Sequence, residues 1–541
     1  MDLNKKFLLI SNIKLPVNAS ETEAFSVAKG IVKRLGLSSY ADGYSIFRRS
    51  VDARRKPDIY FVYTVAVSGD FPYISPEKQQ KLGVSLQEIM PLPKIEIGED
   101  RLSAAPIVVG SGPCGLFAAL LLAEAGYRPV ILERGGSVKE RQAKVRRLED
   151  EHILDTDTNI QFGAGGAGTF SDGKLITRIN DPFTSYVLDR FIEFGAPEEI
   201  RFIAKPHIGT DVLSVVVDRM LERIVELGGQ ILYHTKYLAP ITSNGKVTAI
   251  LTDKGEMPCG ALILAIGHSA RDTYESIIKG GEITIESKSF SVGMRIEHLA
   301  EDIDSAMYGS AAYNDKLGHA EYSLSHNTKV RGTYTFCMCP GGVVVAAASE
   351  EGGVVVNGMS YNSRSERNSN SAVVTSVFRE DYGGTPMAAI EFQRRIERGA
   401  YAAGGGGYSA PIITVGDFLG DTLKTEPKRI LPSYMSGSNV KLVRPEEYLP
   451  GFVCRGIKNA LSDFDRKISG FACQDAVLTG AETRTSAPIR ILRDNDSRLA
   501  YGFTNIYPAG EGAGYAGGIT SAAIDGVRTS LALMKKFSFN N

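Results

Sequence analysis

A glycine turn between two apolar segments constrains the fold of this chain most strongly. Gly110-Ser111-Gly112-Pro113-Cys114-Gly115 follows the apolar run Ile107–Val109 and precedes a segment rich in Ala and Leu. In such a turn the first glycine permits the bend, the second lets the backbone approach a pyrophosphate, and the third lets the helix pack on the strand. A second apolar run ends in Glu133, about 20 residues after Gly112, where a ribose-binding carboxylate belongs. The sequence therefore predicts a dinucleotide site that includes Gly110, Gly112, Pro113, Cys114, Gly115 and Glu133.

Length and composition limit the remaining choices. The chain has 541 residues, which is too long for one ordinary core and predicts several domains. Its formal net charge of −1 argues against attraction of the whole protein to nucleic acid or to anionic lipid. Six cysteines without zinc-type spacing favour a reducing compartment and predict no metal site, and no apolar run reaches the roughly 18 residues of a membrane span. We expect a cytoplasmic protein.

The order of apolar patterns predicts a discontinuous domain organisation. Residues 1–75 read as strand, helix, strand, strand, which favours a small ferredoxin-like α+β domain. Residues 76–104 lose periodicity and are predicted to be a linker. We assign residues 105–285 to the first part of the nucleotide-binding α/β domain, residues 286–488 to an inserted α+β substrate or cap domain, and residues 489–541 to the returning part of the nucleotide-binding domain.

A basic turn in the first domain leaves two interpretations open. Its cations are Arg48, Arg49, Arg54, Arg55 and Lys56. They could bind RNA or a phosphorylated ligand, or they could lie at a solvated hairpin end. The second interpretation is favoured because no aromatic platform is interleaved with the charges.

Two further glycine segments point to the same ligand. The first combines glycines and hydroxyls with a lysine, so that its backbone N–H groups could form an anion-binding nest; its candidates are Gly165, Gly166, Gly168, Thr169, Ser171 and Lys174. A flexible surface loop is the alternative. The second segment, Gly517-Gly518-Ile519-Thr520, opens the last helix, whose dipole could stabilise negative charge on a bound ring. A plain helix start is the alternative there.

Several features resemble FAD-binding proteins of the glutathione-reductase type. Glu133 is followed by Arg134-Gly135, and the later strand ends in Ile266-Gly267-His268. The resemblance implies that Arg134, Tyr237 and Gly267 contact the cofactor. It also implies that Gly510 and Glu511 lie at the flavin, although Glu511 stands where this superfamily usually has Asp.

Taken whole, the chain resembles a widespread family of FAD-dependent (NAD(FAD)-utilising) dehydrogenases. The most specific segments are Asn159–Lys174, Phe336–Gly342, Asn357–Ser360 and Gly514–Ala522. The resemblance implies a Rossmann-like FAD domain, an oxidoreductase that transfers a hydride between flavin N5 and a small-molecule substrate, and a homodimer as one possible assembly. Only one GxGxxG turn stands between a strand and a helix, so NAD(P)H would have to dock transiently at the flavin. Two alternatives stay open: an RNA-acting flavoprotein that uses the basic N-terminal domain, and a protein that binds FAD without turnover.

The middle of the chain offers candidate catalytic residues. Arg295 and Arg364 could anchor an acidic substrate, and His298 could relay a proton; Asn357 and Tyr361 complete the set. Ordinary salt bridges and a hydrogen-bonded core histidine are the alternative. Cys337 and Cys339 could form a strained disulfide or bind a metal, but without a CxxC spacing we expect buried reduced thiols.

Overall fold

The computed structural model describes residues 6–88, 95–175 and 181–539. The strands are β1 (Lys6–Pro16), β2 (Ala41–Asp52), β3 (Tyr60–Gly69), β4 (Val84–Glu88), β5 (Asp100–Arg101), β6 (Pro106–Val109), β7 (Val130–Leu132), β8 (Gln230–Leu232), β9 (Tyr237–Ser243), β10 (Lys246–Thr252), β11 (Gly255–Pro258), β12 (Ala261–Leu264), β13 (Ile285–Ser287), β14 (Phe290–Leu299), β15 (Ser325–Asn327), β16 (Gly332–Cys339), β17 (Val343–Ala346), β18 (Val356–Met359), β19 (Asn368–Val377), β20 (Ala410–Thr414), β21 (Val440–Leu442), β22 (Val477–Glu482), β23 (Ile489–Ile491), β24 (Ile506–Pro508) and β25 (Phe537–Ser538). The α-helices are α1 (Glu21–Arg34), α2 (Pro76–Leu82), α3 (Pro113–Glu124), α4 (Val138–Glu151), α5 (Phe183–Glu193), α6 (Thr210–Glu226), α7 (Arg271–Gly280), α8 (Ala300–Tyr308), α9 (Arg379–Tyr382), α10 (Pro386–Gly404), α11 (Val415–Leu419), α12 (Gly451–Lys467) and α13 (Ile519–Lys536).

The smaller of two compact units contains the N-terminal sheet. Its antiparallel strands follow the order β2-β3-β1-β4, and α1 packs its small apolar residues Ala24, Ala28 and Val32 into the core. Helix α2 and strand β4 complete a β-α-β-β-α-β order. The predicted linker 76–104 is therefore wrong in its first part, since residues 76–88 form this helix and an edge strand of the sheet.

Two later segments join this smaller unit, which differs from the predicted boundaries. Residues 181–207 and 301–320 cluster with the N-terminal sheet and not with the segments around them. The Arg49 amide donates to the Phe202 carbonyl at 2.7 Å, and the Asn314 side chain donates to Asn18 at 2.9 Å. These contacts attach each segment to the small unit, so the predicted ranges 105–285 and 286–488 are each interrupted.

The basic turn uses part of its charge within the small unit. Arg49 pairs with Glu21 at 3.1 Å, and Arg54 forms a two-pronged contact with Asp52, with both distances 2.8 Å. Lys56 donates to the Ala306 carbonyl. These contacts agree with the interpretation of the turn as a hairpin end.

The larger unit is built on a parallel sheet of order β24-β12-β6-β7-β8. Strands β6 and β12 are buried along their whole length because helices pack on the sheet, α3 among them. Close packing of α3 requires Gly115, since a β-carbon there would lie 1.9 Å from the Gly110 carbonyl oxygen. Helix α13 lies against α3 in turn. This arrangement gathers the carboxyl ends of the strands at one edge.

A second sheet of the larger unit runs in the order β15-β16-β19-β14-β22-β20-β21. Strand β14 is buried at each of its positions, and α12 packs against β14, β16 and β19. A three-stranded antiparallel meander, β9 to β11, was not anticipated from the sequence. Among the described residues, no helix combines the length and the apolar composition needed to cross a bilayer.

Candidate functional site

A cavity of about 1060 Å³ lies in the larger unit, at the carboxyl ends of the parallel strands. This volume is at the upper end of the roughly 300–1,000 Å³ typical of small-molecule sites and suits a large ligand. The predicted cofactor residues that line it are Gly110, Gly112, Pro113, Cys114, Glu133, Arg134, Gly166, Gly168, Ser171, Lys174, Tyr237, Gly267, Glu511, Gly517, Gly518 and Ile519. The structure thus brings together segments that lie up to about 400 residues apart in sequence.

The first glycine turn connects β6 to α3 and lines the cavity. Gly110 has φ +98°, and a β-carbon there would lie 2.5 Å from the Ala265 carbonyl oxygen. Gly112 opens the helix, and its own β-carbon position has no neighbour nearer than 3.8 Å. The start of α3 therefore meets the cavity with bare backbone, as an anion at a helix N-terminus requires.

The segment around Gly163 is held from behind by Arg141, which no sequence pattern singled out. Its buried guanidinium donates to the carbonyls of Asn159, Ile160 and Ala164 at 2.5–2.8 Å. Burial lowers the pKa of Arg141 to about 9. Hydrogen bonds from one guanidinium to three carbonyls of this segment fix the backbone of the segment. The segment is therefore an ordered wall of the cavity.

Glu133 lines the cavity but is already engaged by the chain. One carboxylate oxygen accepts from the Ser111 amide and hydroxyl at 3.1 and 2.6 Å, and the other accepts from the amides of Gly135 and Gly163, both at 3.0 Å. A carboxylate offers about four acceptor positions. The predicted ribose contact would therefore have to displace one of these four donors.

Five predicted cofactor residues lie behind the wall instead of on it. Gly115 allows the helix to approach the strand, Gly510 fits against the Cys114 side chain, and Thr520 donates to the Leu175 carbonyl at 2.9 Å. Gly165 and Thr169 touch each other, since a β-carbon on Gly165 would lie 2.2 Å from the threonine hydroxyl. These five residues are not among those that line the cavity, and their contacts support its wall.

The lining fits a dinucleotide. A β-carbon on Gly267, Gly517 or Gly518 would meet no atom within 4 Å, so these glycines leave space that a ligand can fill. The buried Tyr237 hydroxyl has no hydrogen-bond partner among the described residues. Helix α13, like α3, begins at the cavity with a glycine before it. The two helix N-termini offer backbone N–H groups and positive dipole ends to a phosphate-bearing ligand, and the Tyr237 hydroxyl offers one further polar contact.

Three titratable side chains that influence one another also line the cavity: Lys288, Cys337 and Glu511. Burial raises the pKa of Glu511 to about 7, although Lys288 acts against that rise. Burial and the nearby Arg490 lower the pKa of Lys288. Glu511 was predicted, but Lys288 and Arg490 were missed because they carry no local motif.

His268 follows β12, lines the cavity and is held in one tautomer. The Gln161 amide nitrogen donates to the Ala347 carbonyl at 3.3 Å, so the Gln161 oxygen accepts from the Ser269 hydroxyl at 3.0 Å. The Ser269 oxygen then accepts from His268 Nδ1 at 2.8 Å. Since Nδ1 carries the proton, Nε2 is the acceptor. Burial and neighbouring Arg484 lower the pKa of His268 to about 3.

Of the five predicted catalytic residues, Asn357 alone lines the cavity. Arg295 is fully buried, and its five N–H donors are used by Glu482, Asn370, Asn357 and the Cys337 carbonyl. The prediction that Arg295 anchors an acidic substrate is wrong because no donor is left over.

His298, Arg364 and Tyr361 also lie off the cavity wall. The His298 Nε2 atom donates to the Phe471 carbonyl at 2.7 Å in the core. Arg364 pairs with Asp172 at 2.5 Å and with Glu321 at 2.8 Å. Tyr361 is 41% exposed. Arg295 and Arg364 therefore form ordinary salt bridges, and His298 is a hydrogen-bonded core histidine.

Three segments of the chain match known protein families. Residues 289–485 match the family described as FAD-dependent protein, C-terminal domain-like; residues 104–149 match an FAD binding domain; and residues 8–68 match a domain of unknown function. An uncharacterised protein of Clostridium beijerinckii is 43% identical over 532 residues, covering 98% of each chain.

Solved structures with partial likeness include two amino-acid-metabolising proteins. L-amino acid deaminase from Proteus vulgaris is 12% identical, with 82% of this chain and 96% of that chain covered, at a TM-score of 0.33. L-proline dehydrogenase from P. horikoshii is 13% identical, with 81% and 92% covered, at a TM-score of 0.29.

Proposed function

The chain belongs to a family of FAD-dependent proteins, and from this premise we propose that it is an oxidoreductase acting on a small-molecule substrate inside the cavity. Its cofactor is FAD. The observation that carries the proposal is the joint lining of one cavity by glycine turns and by the titratable side chains Lys288, Glu511 and Cys337. A site that only stored the nucleotide would not need such a set.

FAD supplies a hydride acceptor or donor when bound, and the chain supplies position and protons. The bare backbone at the start of α3 would hold the phosphates, and the start of α13 would face the flavin ring. Glu511 exchanges a proton near neutral pH, because burial raises its pKa to about 7. Lys288, whose pKa is lowered, supplies a cation that is only partly hydrated and can orient an electron-rich substrate group.

The source of the electrons belongs to the proposal as well. The ends of the parallel strands and β16 line the cavity, with Tyr334 and Phe336 on its wall. Aromatic side chains at such a wall can stack with a flat ring. We infer that NAD(P)H reduces the flavin by transient docking here and has no domain of its own.

The first experiment is the visible absorption spectrum of the purified protein, followed by heat release and identification of the nucleotide. Flavin bands and free FAD are expected. Anaerobic addition of NADH or NADPH should then bleach the bands, and Glu511→Gln should slow the bleaching or the subsequent turnover without removing the FAD. A colourless protein that takes up no FAD would reject the proposal. A yellow protein that no reductant bleaches would favour FAD binding without turnover.

A further inference from the structure

Two cysteines meet at an irregular point of β16, on the wall of the cavity. Phe336 pairs with Ala372 of β19 and Cys339 pairs with Asn370, so β16 contains one residue more than its partner between these pairs. Cys337 lies in this bulge with φ +45°, a conformation that residues other than glycine rarely adopt. Such local strain is often found at functional sites.

The bulge brings the two cysteines together. Cys339 Sγ donates to the Cys337 carbonyl oxygen at 3.4 Å, and the two thiols are close enough to shift each other's pKa. Cys339 is fully buried, whereas Cys337 is partly exposed and lines the cavity. The Cys339 thiol is therefore buried as expected, whereas the Cys337 thiol is not fully buried.

The charges around the pair make the two thiols unequal. The Cys339 thiol, Arg295 and Lys174 act together to lower the pKa of Cys337 to about 7. The neighbouring Cys337 thiol and burial raise the pKa of the Cys339 thiol. An accessible thiolate beside a buried thiol is the arrangement in which a disulfide can form and be opened again.

We propose that Cys337 and Cys339 are a dithiol–disulfide pair that exchanges two electrons with the FAD bound in the same cavity. In the oxidising direction both S–H bonds break and one S–S bond forms. The two electrons and two protons pass to FAD, which becomes FADH2. The reverse step restores the two thiols, so the protein holds a second two-electron centre. The proposal rests on the proposed function because FAD is the partner that balances the step.

The first test maps the link directly and does not depend on flavin. Trypsin should release residues 332–364 as one peptide, because no Lys or Arg lies between Arg331 and Arg364. After mild oxidation with diamide and alkylation of free thiols, this peptide should be unalkylated and about 2 Da lighter than its dithiol form. Reduction before alkylation should add two labels.

Variants show whether the link is specific. Cys337→Ser and Cys339→Ser should each abolish the mass loss in this peptide. Cys473→Ser, which changes a cysteine that does not line the cavity, should leave it unchanged. Independent alkylation of both cysteines after oxidation would overturn the proposal.

The second test counts electrons in the holoprotein. Anaerobic titration with dithionite should consume two electron pairs per bound FAD in the oxidised wild type, and one pair in Cys337→Ser and in Cys339→Ser. Uptake of a single pair by an oxidised wild type that carries the mapped link would overturn the exchange with flavin. A protein without FAD fails the absorbance test first, so failure of the proposed function is recognised separately.

Discussion

The backbone of Gly166 lies against that of Gly112, the residue that opens α3 at the cavity. A β-carbon on Gly166 would lie 2.8 Å from the Gly112 Cα atom, and Gly166 has φ +63°. Two separate glycine segments therefore meet backbone to backbone at the predicted phosphate site. Gly166 cannot take a side chain at this contact without moving the Gly112 turn.

Gly166→Ala should weaken FAD binding at least tenfold, because the new methyl group displaces the Gly112 turn. That loss corresponds to about 1.4 kcal/mol or more. The measurement is the flavin-to-protein absorbance ratio after dialysis, with a titration of the apoprotein by FAD. Gly126→Ala is the matched control: Gly126 has φ +83°, but its β-carbon would meet nothing within 4 Å. Equal FAD retention in both variants would show that this contact does not shape the site.

Arg295 should be a structural residue, and removal of its counter-charge should destabilise the fold. Its guanidinium contacts both Glu482 oxygens at 2.8 Å, and both side chains are buried. Glu482→Gln leaves the buried cation without its counter-charge, which costs about 3–5 kcal/mol. We expect a clear fall in the thermal unfolding midpoint at a fixed scan rate.

The control for that prediction is an exposed ion pair. Glu151→Gln removes the partner of Arg147, at 3.0 Å on the surface of α4, and should cost about 0–1 kcal/mol. Similar midpoints for Glu482→Gln and Glu151→Gln would contradict the structural role of the Arg295–Glu482 pair.

The sequence was informative where the chemistry is local. The turn from Gly110 to Gly115 combines strand, glycines and helix in one short stretch, so its place at the cavity followed from spacing alone. The start of α2 also carried a local signal, with Ser75 as the cap and Pro76 at the first helical position. The predicted linker missed it because a helix of seven residues is too short to show a clear apolar periodicity.

Side-chain partnerships that depend on distant segments could not be predicted. Arg295 and Arg364 have the right chemistry to bind an acidic substrate, but partners far along the chain, such as Glu482 and Asp172, use their donors. Lys288 and Glu511 come from strand ends more than 200 residues apart and meet only in the folded chain. Residue type suggests what a side chain can do, whereas the topology decides what it contacts.

His268 should stay neutral throughout the neutral pH range. Burial and Arg484 lower its pKa to about 3, and Ser269 fixes the proton on Nδ1. With ¹³C-labelled histidine, the ring signal that His268→Gln removes should keep the shift of a neutral Nδ1–H ring between about pH 5 and pH 8. A sigmoidal shift of this signal near pH 6 would mean that the imidazole is hydrated and free to change tautomer.

Glu511 should make the flavin-free protein less stable as the pH rises. Burial raises its folded-state pKa to about 7, above the 4.5 of an unperturbed Glu. The folded protein therefore binds this proton more tightly than the unfolded chain, and the stabilisation is lost as the pH rises through the folded pKa. Between about pH 5 and pH 8 the urea midpoint should fall more in the wild type than in Glu511→Gln, because the amide does not titrate. Glu226→Gln, a change at an exposed residue of α6, should keep the wild-type difference. If Glu511→Gln keeps it as well, Glu511 is not the group that holds the proton.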